Sequence, residues 1–65
     1  MITNCLKKIR EERNFTQEHL AESVGVSRQT IIAMEKGNYE PSLGLAMKLA
    51  RHFKIKVEEL FNFKQ

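Results

Sequence analysis

Two neighbouring side chains in the middle of the chain carry hydrogen-bonding groups that can pair with the edges of nucleic-acid bases. Arg28 presents a planar guanidinium with several donors, and Gln29 presents an amide that both donates and accepts. An arginine can bind O6 and N7 of guanine through two hydrogen bonds, and a glutamine can bind N6 and N7 of adenine in the same way. This chemistry needs a rigid element that carries both side chains to the bases. The neighbouring residues determine whether the chain forms such an element here.

The residues on either side of this pair predict a helix, which is the element that fits the major groove of DNA. Ser27 is a favourable N-cap, and Gly37 can adopt a positive φ, so the helix is expected from Ser27 to Lys36. Ile31 and Met34 lie on one face, which we expect to be buried. The residues expected to point elsewhere are Arg28, Gln29, Ile32, Ala33 and Lys36.

Another helix is predicted directly before this one. Thr16 is a favourable N-cap for it, and Gly25 can end it by adopting a positive φ. Only Gly25 and Val26 separate this helix from Ser27, so a tight turn must join the two. Its inward side is formed by Leu20, Ala21 and Val24.

The second half of the chain predicts two more helices. Ser42 caps one of them after the loop from Asn38 to Pro41, and a short last helix is expected for Val57 to Leu60. The longer helix carries a strong core-facing stripe, formed by Leu45, Ala46, Leu49, Ala50 and Phe53.

The two ends of the chain complete the predicted fold. A first helix is expected from Leu6 to Arg13, with Leu6, Ile9 and Arg13 on its buried side. The segments Met1 to Thr3 and Phe61 to Lys64 are short, and apolar and polar residues alternate in the second of them. The prediction is therefore an all-α bundle of five helices, with a small two-stranded antiparallel hairpin formed by the termini.

Composition limits the classes of protein to which the chain can belong. Its 65 residues suffice for one domain, expected to span residues 1–65, and its formal net charge of +3 favours a polyanionic partner. No apolar run approaches the roughly 20 residues of a membrane span, and the N-terminus lacks the pattern of a signal peptide. We therefore expect a cytoplasmic protein with no membrane partner.

Other residues that could carry chemistry are too few or too scattered. The single cysteine, Cys5, excludes an internal disulfide and is either an apolar filler or a redox-sensitive thiol. His19 and His52 have no acidic or thiol partner at ligand spacing, so both are expected in solvent and no metal site is predicted. The adjacent Glu58 and Glu59 are also expected in solvent. Neither an enzyme, a cofactor nor a small-molecule ligand is expected.

Four segments, in this order, resemble the phage-repressor type of helix-turn-helix regulators. They are residues 16–21 (TQEHLA), 24–31 (VGVSRQTI), 34–37 (MEKG) and 41–43 (PSL). The resemblance covers nearly the whole chain and is closest to the short stand-alone members of the family. It implies a bundle like that of lambda repressor, with the helix-turn-helix at about residues 16–36, that binds double-stranded DNA and regulates transcription.

The resemblance also suggests how such a protein acts. A homodimer on an inverted repeat, which represses by occluding a promoter, is the simplest arrangement. Activation is an alternative, in which Glu18 or Glu22 contacts RNA polymerase. A protein-binding role, as an antitoxin or an adaptor, is a further alternative, because one fold can serve different partners.

The predicted contacts with bases come from the third helix. Arg28 and Gln29 lie near its start, from which base edges are mostly read. Ile32 and Ala33 lie one turn further on and could pack on thymine methyl groups. Ile32 could instead extend the core, and this alternative stays open.

The predicted contacts with the DNA backbone come from two helix starts and from the loop after the third helix. Gln17 and Ser27 lie at helix N-termini, where free N–H groups favour phosphate, and the resemblance implies this role for Gln17. The other predicted contacts are Thr30, Lys36, Asn38 and Tyr39. Asn38 could instead serve only to form the turn.

Two charged residues are assigned to the fold rather than to DNA. The resemblance implies a partly buried salt bridge between Arg10 in the first helix and Glu35 in the third. Removal of one partner would then destabilise the protein by about 3–5 kcal/mol if burial is complete.

Apolar residues in the last two helices and just after them exceed what the core of a small bundle needs. Leu43 and Met47 lie off the core stripe of their helix, while Val57, Leu60 and Phe61 lie close together in the sequence. A two-fold dimer through the fifth helix would bury this surface. It would also place the two third helices, which carry the predicted base contacts, about 34 Å apart, one turn of DNA. The predicted dimer interface is Val57, Leu60 and Phe61. A monomer whose fifth helix only closes the core is the alternative.

Overall fold

The computed structural model describes residues 2–63, and within them the chain forms five α-helices and one two-stranded sheet. The elements follow the order β1 (Ile2–Asn4), α1 (Leu6–Glu12), α2 (Gln17–Val24), α3 (Arg28–Glu35), α4 (Leu43–Phe53), α5 (Val57–Leu60) and β2 (Phe61–Phe63). The all-α bundle with a hairpin of the termini, which the sequence predicts, is therefore confirmed.

The hairpin joins the start of α1 to the end of α5. Its strands are antiparallel and pair Ile2 with Phe63, Thr3 with Asn62, and Asn4 with Phe61. The contact continues beyond the strands, because the backbone N–H of Cys5 donates to the carbonyl of Leu60 at 3.1 Å. Met1 and Lys64, which belong to the predicted strands, lie outside the described residues.

Three helices begin at side-chain caps. The Thr16 Oγ1 accepts a hydrogen bond from the backbone N–H of His19 at 3.0 Å, and the Ser27 Oγ accepts one from Thr30 at 3.2 Å. Ser42 caps α4 in the same way. Each cap satisfies one of the backbone donors that a helix start leaves free, and all three predicted N-caps are confirmed.

Two glycines in the left-handed region end the helices of the helix-turn-helix segment. Gly25 has a φ of 75° and Gly37 a φ of 80°. After α3, the N–H of Gly37 donates to Met34 at 3.0 Å and the N–H of Asn38 to Ala33 at 2.9 Å, which is a Schellman motif. A side chain at either glycine would be strained by about 1–2 kcal/mol, so these two positions determine where α2 and α3 stop.

The buried side of α1 differs from the prediction. The helix ends before Arg13, which is exposed and donates from Nη1 to the carbonyl of Phe53 at 2.8 Å. Arg10, 8% exposed, is buried beside Leu6 instead. Residues four apart share one side of a helix, and burial of Arg10 there is possible because Glu35 balances its charge.

The core is built from apolar residues of all five helices. The predicted inward residues of α2, α3 and α4 are all buried, namely Leu20, Ala21, Val24, Ile31, Met34, Leu45, Ala46, Leu49, Ala50 and Phe53. Leu60 is also fully buried, as the last residue of a one-turn helix that packs on α4. Its side chain has no surface left for a second copy, so Leu60 belongs to the core and not to the predicted dimer interface.

Candidate nucleic-acid interface

The start of α3 carries the two side chains with base-pairing chemistry, and both are exposed. Arg28 and Gln29 are the first two residues of the helix after its Ser27 cap. Ile31 and Met34 are fully buried and hold the helix against the rest of the protein. A fixed helix whose exposed N-terminal residues carry a guanidinium and an amide has the features that reading of the major groove requires.

Ile32 and Ala33, one turn further along α3, are both half-buried. They differ in this from Ile31, which is fully enclosed by the core. Each keeps accessible surface that a thymine methyl group could contact. The geometry is therefore compatible with the predicted apolar contacts.

The N-terminus of α3 is suited to a negative charge. Its first turn contains no acidic residue, whereas the first turn of α2 contains Glu18. The free N–H groups and the helix dipole therefore act without a neighbouring carboxylate on the helix itself. The hydroxyls of Ser27 and Thr30, both predicted to contact phosphate, lie 3.0 Å apart at this end.

Gln17, the first residue of α2, is held in place by a buried carboxylate. Its Nε2 donates to Oε1 of Glu35 at 3.0 Å, and the Glu35 side chain is only 4% exposed. One amide hydrogen is used in this contact, so the second hydrogen and the carbonyl oxygen of Gln17 remain available. The contact fixes a predicted phosphate ligand at the junction of α2 and α3, and the sequence did not predict it.

Arg10 completes this buried network. Its Nε lies 2.6 Å from Oε2 of Glu35 and its Nη2 lies 3.3 Å from Oε1, so the predicted salt bridge is confirmed and is bidentate. Its Nη1 donates to the carbonyl of Phe15 at 2.7 Å. The hydrogen bond to Glu35 raises the pKa of the Arg10 guanidinium and outweighs burial, which lowers it. One carboxylate on α3 thus binds to both α1 and α2.

The loop after α3 presents the remaining predicted contacts. Lys36, Asn38 and Tyr39 are all exposed, and Tyr39 is 45% accessible. Asn38 also takes part in the turn, because its backbone N–H closes the end of α3. Since its side chain stays accessible, Asn38 can form the turn and contact a phosphate at the same time.

Both histidines lie against the ring of Phe15. The ring centroids are 5.2 Å apart for His19 and 5.0 Å apart for His52. His19 is exposed, but His52 is half-buried and also packs edge-on against Phe53, so the prediction that it lies in solvent is wrong. The aromatic side chains enclose it because ring pairs stabilise each other beyond the area that they bury.

Cys5 and Glu59 make hydrogen bonds that belong to the fold. The Cys5 thiol donates to the carbonyl of Glu59 at 3.1 Å, and the exposed Glu59 carboxylate accepts from the backbone N–H of Lys56 at 3.0 Å at the start of α5. Within residues 2–63, no group of three or more His, Cys, Asp or Glu side chains is placed to hold a metal ion. No helix in that range has the length and apolar character needed to cross a membrane.

Comparison with known proteins places most of the chain in one family. Residues 6–60 match the model of the helix-turn-helix family HTH_3. A protein of Methanocaldococcus jannaschii, named an uncharacterised HTH-type transcriptional regulator, is 59% identical over 58 residues, which are 89% of this chain and 88% of that protein. The transcriptional repressor RstR of the cryptic phage CTXphi, from Vibrio cholerae, is 35% identical over 60 residues, which are 92% of this chain and 54% of that protein.

The fold is also shared with solved structures. The crystal structure of a protein from Bacteroides fragilis aligns with a TM-score of 0.86 at 31% identity, over 95% of this chain and 100% of the other. The M. jannaschii protein and RstR are both named as regulators of transcription and not as enzymes, as expected for this chain. The matched region includes every segment on which the resemblance rests. The chain therefore belongs to the helix-turn-helix family and, within it, to the regulators of phage-repressor type.

Proposed function

We propose that the chain regulates transcription by reading a short inverted repeat in double-stranded DNA. The observation that carries this proposal is the exposure of Arg28 and Gln29 at the start of a helix whose other side is buried. Arg28 binds a guanine and Gln29 an adenine, each pair contributing about 1–3 kcal/mol of discrimination between bases. Ile32 and Ala33 pack on thymine methyl groups in the same groove.

The phosphates on either side are held by helix starts and by the loop after α3. Gln17, held by Glu35, donates its remaining amide hydrogen, and Lys36 supplies a positive charge. The complete proposed set is Gln17, Ser27, Thr30, Lys36, Asn38 and Tyr39. Contacts of this kind position the protein and make its affinity dependent on salt, but they carry no sequence information.

A second copy of the chain is the proposed partner of the apolar surface next to α5. This surface surrounds a cleft of 270 Å³, lined by Ile2, Pro41, Leu43, Ala46, Val57 and Phe61. Leu43 is 74% exposed, and contiguous apolar surface of this kind marks a contact region. A two-fold contact would bury it on both copies and direct the two α3 helices into successive major grooves, about 34 Å apart.

Leu43→Glu is expected to convert this dimer into a monomer. Leu43 is the first residue of α4, where an acidic side chain interacts favourably with the helix dipole, so folding should be preserved. In the dimer the new carboxylate would be buried without a cation, which should weaken association by roughly 100-fold or more. Sedimentation without DNA measures this effect. Ser23→Glu places the same charge at an exposed position of α2 and is the control. A Leu43→Glu variant that stays as dimeric as this control would contradict the proposed interface.

We further propose that the bound dimer represses by occluding a promoter. The support is the identity of 35% with a phage protein named as a repressor. In this proposal residues 1–65 act as one helix-turn-helix domain, and the protein works in the cytoplasm, where DNA is accessible.

Selection from a pool of random duplexes, with sequencing of the bound fraction, tests the proposal. The expected product is a two-fold symmetric motif whose half-sites are about 10–10.5 base pairs apart from centre to centre. Salt-sensitive binding without any motif would contradict the reading of an operator. Failure to bind DNA even at low salt would favour a protein partner, as for an antitoxin or an adaptor.

A further inference from the structure

Asn4 joins the terminal hairpin to both α1 and α3. It is the last residue of β1, and both the oxygen and the nitrogen of its side-chain amide form hydrogen bonds. The Oδ1 accepts from the backbone N–H of Leu6 at 3.0 Å, while Nδ2 donates to the carbonyl of Met34 at 2.9 Å. A single amide thus binds the start of α1 and the end of α3.

The carbonyl of Met34 lies in the last turn of α3, where helices leave their acceptors without helical donors. The N–H of Gly37 is one donor to it, at 3.0 Å, and Asn4 is the other. Met34 follows Arg28 by six residues, which is about 9 Å along a helix axis. Asn4 therefore holds the end of α3 that is distant from the proposed base contacts.

The same strand leads to the proposed dimer surface. Asn4 is paired with Phe61, and Phe61 and Ile2 both line the apolar cleft at which the second copy is proposed to bind. The hairpin carries residues of the dimer surface, and through Asn4 it also contacts α3. The hairpin therefore links the dimer surface to α3.

We propose that Asn4 is a positioning residue that holds α3 at a fixed angle to the dimer surface and thereby makes the dimer selective for one spacing of half-sites. The inference rests on the proposed function. One additional base pair shifts a half-site by about 3.4 Å and rotates it by about 34–36° around the DNA axis. If the connection between the dimer surface and α3 is rigid, the second α3 cannot reach the displaced half-site. A looser connection lets α3 move part of the way.

Asn4→Asp tests the connection because it changes only one of the two contacts. An aspartate keeps an oxygen for the N–H of Leu6, but it removes the donor to Met34 and places a carboxylate next to that carbonyl. Asn62→Asp is the matched control, since it makes the same charge change on the exposed side of β2. Four duplexes are compared at one salt concentration: the selected motif, the motif lengthened or shortened by one base pair at its centre, and a single half-site.

Wild type and Asn62→Asp are expected to bind the selected spacing at least about tenfold more tightly than either altered spacing. In Asn4→Asp this ratio should fall by about fivefold, as for the loss of one hydrogen bond, while affinity for the half-site should change by less than about twofold. Circular dichroism verifies that each variant is folded. If Asn4→Asp does not fold, Asn4→Ser retains an oxygen without the added charge and is used for the same comparison.

The outcomes separate this inference from the proposed function. If wild type prefers one spacing and the Asn4 variant keeps the full preference, the inference is overturned and the dimeric reader stands. Equal losses on all four duplexes would show a general structural role and would also overturn it. A wild type without any preference for spacing would overturn the dimeric reader and, with it, the role of Asn4.

Discussion

Arg10→Ala is expected to lower the free energy of unfolding by about 3–5 kcal/mol, because it leaves a buried charge without its partner. The Glu35 side chain is 4% exposed and would lose its bidentate contact. The carbonyl of Phe15 would also lose its donor. A chain of this length has a total stability of about 3–10 kcal/mol, so the expected loss removes a large fraction of that stability.

Urea unfolding followed by circular dichroism measures this loss. Arg51→Ala, which removes an exposed cation from α4, is the control and should change stability by less than about 0.5 kcal/mol. Replacement of both partners, as Arg10→Met with Glu35→Leu, should restore much of the stability, because no charge then remains buried. A loss below about 1 kcal/mol in Arg10→Ala would show that the pair contributes no more than a surface salt bridge.

The contribution of Arg10 should not vary with pH in the neutral range. Its pKa is raised in the folded protein, so the stability that comes from this shift is fully present below the ordinary pKa of arginine. It is lost only as the pH rises through the raised value. The titration of Arg10 should therefore not alter the difference in stability between wild type and Arg10→Ala from about pH 6 to 9.

The double variant Arg28→Ala, Gln29→Ala is expected to lose about 2–6 kcal/mol of specific binding energy, or roughly 30-fold to 10⁴-fold in affinity. Both side chains are exposed, and alanine favours a helix, so the fold should be unchanged. The loss should be confined to the selected motif, since contacts with phosphate are retained. Fluorescence anisotropy on the motif and on a scrambled duplex, at one salt concentration, measures the ratio of the two affinities.

Lys36→Ala is the matched control for this experiment. Lys36 follows α3 directly and is exposed, and its proposed contact is with a phosphate. Its removal should weaken binding to both duplexes by a similar factor and reduce the dependence on salt. If the double variant behaves like Lys36→Ala, Arg28 and Gln29 do not read bases, and the proposed assignment of these contacts is incorrect.

The Arg10→Ala variant therefore tests stability, and the Arg28→Ala, Gln29→Ala double variant tests DNA contact. Arg10→Ala should also weaken DNA binding, but only through the lower stability that follows from loss of the Arg10 contacts with Glu35 and Phe15. The double variant on α3 should keep the unfolding midpoint of wild type. Measurement of both properties on both variants separates a positioning role from a direct contact.

The sequence by itself determined the features that depend on neighbouring residues. The caps at Thr16, Ser27 and Ser42 bind backbone groups three residues away, so residue type and position are sufficient to predict them. The left-handed ends at Gly25 and Gly37 follow from the absence of a side chain. The spacing of apolar residues in α4 likewise predicted which face of this helix is buried, because residues that recur with the period of a helix lie on one side of it.

Only the tertiary structure decided the features that depend on partners distant in sequence. Helix periodicity placed Arg13 on the buried side of α1, but Arg10 is buried there because Glu35, 25 residues later, balances its charge. That pairing was expected from the family resemblance and not from the residue pattern of α1. Leu60 lies in the core because α5 packs on α4, and its position in the sequence would serve equally well for a surface contact.

Asn4, the last residue of β1, illustrates the same limit. Its amide acquires a role only when folding brings the carbonyl of Met34, 30 residues away, within 2.9 Å. Helix periodicity and capping act over three or four residues, so they predict which segments are helical and which sides are apolar. The partner of a buried polar group is set by the packing of whole helices, so residue patterns did not reveal the contacts of Asn4 and Gln17, and the Arg10–Glu35 pair was expected only from the family resemblance.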